Sequence, residues 1–132
     1  MKIIFSKNGF DSTAGGIPSI KIGENLQSLP IPYKKNTLTT YNDLNLGNEV
    51  KQLSKNKIIP TDTCHNDPNL LTGQFGQVGA AQTHLENNKV GIGDLFLFWG
   101  WFRETKKKKI KFYLIKKTLV TIEFLVGFRL VK

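Results

Sequence analysis

The chain has 132 residues and one cysteine, Cys64, so it has room for a single ordinary domain and can form neither an internal disulfide nor a four-cysteine zinc site. Its 39% hydrophobic and 11% aromatic content excludes a disordered polymer, while 12 glycines among many Asn, Thr and Ser residues imply abundant loops. The net charge of +9 is unevenly placed: residues 1–105 hold 10 Lys and Arg against 9 Asp and Glu, whereas residues 106–132 hold 9 against Glu123 alone.

In chain order, residues 2–5 read as a short buried strand that stops at the polar, glycine-rich stretch 6–16. Residues 20–22 and 28–31 flank Gly23, Glu24 and Asn25 as the arms of a hairpin, with Pro30 and Pro32 confining the second arm to an edge. Thr40 is a candidate cap for a helix over residues 41–55, on which Leu44, Leu46, Val50 and Leu53 give partial helical spacing and Gly47 is a weak point. Residues 58–71 form a loop with a turn at Asp67, Pro68 and Asn69. A glycine-led helix follows over 76–88, with Val78, Ala81 and Leu85 on one face and Asn87 and Asn88 at its end. Residues 95–102, nearly all apolar and aromatic, suit a central strand covered on both faces. The expected class is α+β: a loop-rich mixed sheet with a central aromatic strand and one or two helices.

No stretch is long enough to cross a bilayer as a helix. The residues before Ser6 are too few for the apolar part of an export signal, and one cysteine suits a reducing compartment, so the expected location is the cytoplasm. The cofactor is not specified by any motif.

Four stretches carry residues suited to chemistry. In residues 6–19, Gly9, Gly15 and Gly16 permit close backbone approach, consecutive amides can form an anion-binding nest, and Lys7 can offset phosphate charge. A P-loop is excluded, because its Gly-Lys-Ser/Thr ending is missing; a plain turn-rich connection is the competing reading. His65 and Asp67, two apart, can act as general base and orienting partner or as metal ligands, whereas Asp67 before Pro68 is also an ordinary turn opener. Cys64 reads as a core or loop residue, since nothing in its surroundings would stabilise a thiolate. Gln77 and His84, two helical turns apart, can face one cleft. Arg103 ends the aromatic run and can pair with a carboxylate or phosphate, while Phe96, Phe98 and Trp99 read as core and Trp101 stays open between core and base stacking.

Taken in order, residues 7–12, 15–19, 28–32, 40–44, 65–70, 75–85 and 93–103 resemble the nucleotide modification associated domain family of type three, over residues 1 to about 103. The resemblance implies a link to phage and bacterial systems that make or handle modified bases, without fixing a reaction. It matches Lys7, Asp11, Ser12, Gly15 and Gly16 to the first motif, His65, Asp67 and Pro68 to the second, Gln77, Gln82 and His84 to the third, and Asp94 and Arg103 to the fourth. The expected roles follow: His65, Asp67 and His84 catalytic; Lys7, Asp11, Ser12, Gly15, Gly16, Gln77 and Arg103 holding the nucleotide or modified base.

The expected division is a nucleotide-modification-associated portion over 1–105 and a basic apolar tail over 106–132 that departs from the pattern. A frameshift in an A-rich tract coding for Lys106 to Lys109, leaving the domain truncated, accounts for such a tail, and the coding DNA tests it. The other reading makes residues 110–131 two strands, since Ile, Phe, Tyr, Val and Thr favour them. Two rival functions stand beside the nucleotide-processing one. A non-catalytic accessory protein would hold nucleic acid through the tail lysines; a metal-dependent hydrolase would use His65, Asp67, His84 and a further carboxylate.

Overall fold

A computed structural model describes residues 1–35, 37–65, 79–108, 111–114 and 121–129. The elements are β1 (Ile3–Lys7), β2 (Ser19–Ile22), β3 (Asn25–Gln27), α1 (Gly47–Leu53), α2 (Ala80–Asn87), β4 (Leu95–Lys108), β5 (Lys111–Leu114) and β6 (Thr121–Arg129). The arrangement is α+β, with a mixed sheet of strand order β1-β4-β2-β3 and with β5 and β6 also paired to β4. Contacts divide the chain into two compact units. One takes the described residues of Met1–Lys7, Pro68–Trp99 and Phe124–Lys132; the other takes those of Asn8–Asp67 and Gly100–Glu123.

In the first unit β1 runs parallel to the start of β4, with Ile3 opposite Leu95 and Lys7 opposite Trp99. The strand is not buried as expected: it alternates, with Ile3 50% and Phe5 61% exposed while Ile4 and Ser6 turn inward. β4 alternates as well, since Phe96, Phe98, Gly100 and Phe102 are buried and Leu95, Leu97, Trp99 and Trp101 only half so. The aromatic strand is therefore central, but one of its faces is incompletely covered. It also continues beyond residue 102 through the lysines to Lys108.

The second unit packs β2 parallel to the later part of β4, with Ile20 opposite Arg103. The second arm of the β2–β3 hairpin starts three residues earlier than its apolar residues suggest, because Ile22 pairs with Asn25 and Gly23 (φ 59°) takes the left-handed turn position. The segment expected as the second arm leaves the sheet instead, and Leu29 sinks completely into the core. Around it pack Phe10, Ile20, Tyr41, Val50 and Cys64. Phe10 meets Tyr41 edge to face at 6.2 Å, and the Tyr41 hydroxyl donates to the Pro30 carbonyl at 2.7 Å, which satisfies both buried groups.

Helix α1 is shorter than the spacing of its leucines predicts. Thr40 caps a separate turn instead: its amide and hydroxyl donate to Asp43 Oδ2 at 2.8 and 2.7 Å, and these bonds hold the Asp43 carboxyl below the usual carboxylate range. Asn45 then turns left-handed (φ 56°), and the helix starts only at Gly47, where a Cβ would run into Asn42 and Pro60. Helix α2 begins at Ala80, after Gly79 (φ 60°), four residues inside the expected range as far as the described residues go. Of its expected apolar face, Ala81 is exposed, Leu85 half-buried, and Val78 lies outside the described residues. Residues 111–114 and 121–129 are strand, in keeping with the strand-forming reading of the end of the chain.

Candidate functional site

The first unit holds a groove of about 200 Å³ between α2 and the β1/β4 pair. Its floor comes from the paired strands: Ile4, Phe5 and Ser6 of β1 line it together with Phe96 of β4, which stands opposite Ile4. Its wall comes from helical spacing, since Ala81, His84 and Leu85 line it and lie on one side of α2. The His84 ring is exposed, with Asn88 Nδ2 3.4 Å from its Nε2, and the same amide group donates to the His84 carbonyl at 2.8 Å. The groove thus combines an aliphatic and aromatic floor with one imidazole and one hydroxyl. Lys7 ends β1 beside Trp99 and is exposed.

The second unit holds the glycine-rich loop, and its geometry differs from an open phosphate nest. The Asp11 carboxylate occupies it: Oδ1 accepts from the Thr13 amide (2.7 Å), the Thr13 hydroxyl (2.7 Å) and the Ala14 amide (2.6 Å). The Gly16 amide closes the turn on the Asp11 carbonyl at 2.9 Å. Gly15 (φ 89°) is pressed against the Phe10 ring, where a Cβ would clash, while Gly16 (φ 72°) and Ser12 face open space or solvent. Asp11 is therefore the brace of this loop, in contact with its own backbone.

His65 is exposed, its amide bonded to the Ile31 carbonyl at 2.8 Å and its ring edge-on to Tyr33 at 5.3 Å. Arg103 is half-buried on β4, and its Nε, like Ser28 Oγ, is buried without a hydrogen-bond partner among the described residues. A buried guanidinium N–H left unmade is costly, so an anion reaching Arg103 would find a donor waiting. Asp67 and Gln77 lie outside the described residues. Asp11, Ser12, Gly15 and Gly16 share one loop; His65 and Arg103 belong to the same unit on other segments; Lys7 and His84 belong to the first unit. Among the described residues, no three His, Cys, Asp or Glu side chains gather as metal ligands.

The groove itself escaped sequence reasoning. Ser6 reads as the start of a loop and Phe96 as plain core, and only the parallel register of two strands far apart in the chain brings them under His84.

A family model described as nucleotide modification associated domain 3 matches residues 2–128. The chain belongs to this family. The match runs past residue 103, where the motif-by-motif resemblance ends, and takes in β5 and nearly all of β6. No curated protein and no solved structure matches the chain. The family's description associates this protein with nucleotide modification, and no helix among the described residues is long and apolar enough to cross a membrane.

In this family member, Asp94 of the fourth motif ties β1 to β4. Its Oδ1 accepts from the Lys2 amide at 2.7 Å, its Oδ2 from the Gly91 amide at 3.1 Å, and the Lys2 ammonium lies 3.7 Å away. The Leu95 amide returns a bond to the Lys2 carbonyl at 2.9 Å, starting the parallel ladder that floors the groove. The amide of Lys2, then that of Gly91, hold the Asp94 carboxyl below its ordinary value of 3.8. A lowered folded-state pKa contributes stability that is fully present above the ordinary value and is lost as pH falls through the folded one. Replacing Asp94→Asn should therefore lower the melting temperature at neutral pH, with the gap from wild type closing below about pH 4. Melting curves across pH check this, and a gap that stays constant into acid would contradict it.

Proposed function

We propose that this protein binds a nucleotide or modified base and processes it, as a cytoplasmic component of a phage or bacterial system for DNA modification. The observation that carries the reading is the family match over residues 2–128. The groove beneath His84 supports it, because a nucleobase needs an apolar surface for its faces and a few donors or acceptors for its edges. In this reading the base lies on Ile4 and Phe96, with the His84 imidazole and the Ser6 hydroxyl at its edge.

The remaining roles follow the chemistry of the residues. Lys7, exposed at the end of β1, supplies a cation for phosphate. Arg103 brings an unsatisfied buried donor, suited to an anionic group. His65 with Asp67 performs proton transfer, and Gln77 helps hold the ligand.

Calorimetric titration of the full chain with a panel of ordinary and modified nucleotides is the test. At least one nucleotide is expected to bind, and His84→Ala should weaken it by about tenfold, the size of one lost hydrogen bond to a ligand in a partly dry groove. His65→Ala should leave binding close to wild type and abolish any turnover. Failure of every nucleotide to bind, or binding indifferent to His84, would overturn the reading.

A further inference from the structure

Helix α2 walls the groove, yet its own residues do little to keep it ordered. None of them is buried, and isolated helices shorter than about 12 to 15 residues are marginal in water. Among the described residues, no hydrogen bond joins α2 directly to β1 or β4. The helix closes on three amides: Asn88 donates to the His84 carbonyl at 3.1 Å, Lys89 to that of Glu86 at 2.9 Å, and Val90 to that of Leu85 at 3.0 Å. The closing turn puts Lys89 in the left-handed region (φ 49°), which a residue with a side chain adopts only at a cost. His84 and Leu85, which line the groove, lie in this last turn, and helix ends are where fraying begins.

One tie comes from outside the helix. The Lys2 ammonium donates to the Lys89 carbonyl at 2.8 Å and lies 3.7 Å from Asp94 Oδ2. A cation in this place meets the negative end of the helix dipole and satisfies a carbonyl at the helix end. The main chain of the same residue starts the ladder between β1 and β4, its amide donating to Asp94 and its carbonyl accepting from Leu95. Lys2 is thus bonded to the floor of the groove through its backbone and to the wall through its side chain. We infer that Lys2 is a positioning residue: its ammonium fixes the last turn of α2, and with it the His84 imidazole, against the strands that floor the groove. The consequence for affinity rests on the nucleotide-binding reading of that groove, whereas the consequence for the order of α2 does not.

Amide hydrogen exchange of the full chain, followed residue by residue by nuclear magnetic resonance, tests it in K2M, K2R and K89Q variants. In K2M, exchange at Asn88, Lys89 and Val90 should quicken about fivefold or more, the scale of one lost hydrogen bond, while Leu95 in the ladder and Val50 in the other unit change by less than about twofold. K2R, which keeps a cation able to bond the carbonyl, should stay within about twofold of wild type, as should K89Q, which removes one charge at the same place and leaves the carbonyl. Binding of the tightest nucleotide in the calorimetric panel completes the test. K2M should weaken it about threefold or more, and K2M/H84A should bind no more weakly than H84A alone, because the lysine acts through the imidazole. Unchanged exchange in K2M, an equal rise at Leu95 and Val50, or full additivity of K2M with H84A would each overturn the inference. Exchange that behaves as stated while no nucleotide binds would overturn the nucleotide reading and leave the role of Lys2 in ordering α2 standing.

Discussion

One strand organises this protein. β4 spans 14 residues and pairs with β1, β2, β5 and β6, so the register of every other strand except β3 is set against it. Its capacity to do so comes from strict alternation: phenylalanines at 96, 98 and 102 go to the buried side, and Gly100 stands where a fourth ring would be. A Cβ at Gly100 would lie 2.9 Å from the Phe102 ring and 3.0 Å from the Asn8 carbonyl, so a side chain there would force its neighbours to shift. At its first residues the strand is fastened to β1 by Asp94, and at its last it runs through the lysines to Lys108.

How much of this was legible depended on whether a feature is local. The aromatic run announces a strand, and its central place follows from its being too apolar for an edge. The hairpin at Gly23 and the helix around Val50 are likewise visible, because glycine and apolar spacing act within a few residues. Their bounds were not, and the reasons are side-chain bonds that compete with the helix: the Thr40–Asp43 turn and the left-handed Asn45 delay α1 to Gly47. Nor does a run of lysines read as strand, although pairing with β5 keeps Lys106 to Lys108 extended.

The family is legible in the ordered motifs, yet their residues turn out to have different duties. Asp11 and Asp94 spend their oxygens on backbone amides and hold local structure together. His84 stands at the rim of a groove, and Arg103 has a buried Nε with no hydrogen-bond partner among the described residues. Polar residues at motif positions thus divide into those that shape backbone and those with bonding capacity to spare, a distinction that only coordinates provide. The groove is the extreme case, since Lys2 and Asp94, whose bond sets its register, are 92 residues apart.

The proposed function requires the face shared by β1, β4 and α2 to receive a nucleotide. Amide and side-chain resonances recorded by nuclear magnetic resonance during titration with a nucleoside monophosphate address it directly. Shifts should concentrate at Ser6, Ala81, His84, Leu85 and Phe96 and follow one saturating curve. Saturable shifts confined to other residues, with these five unmoved, would contradict it.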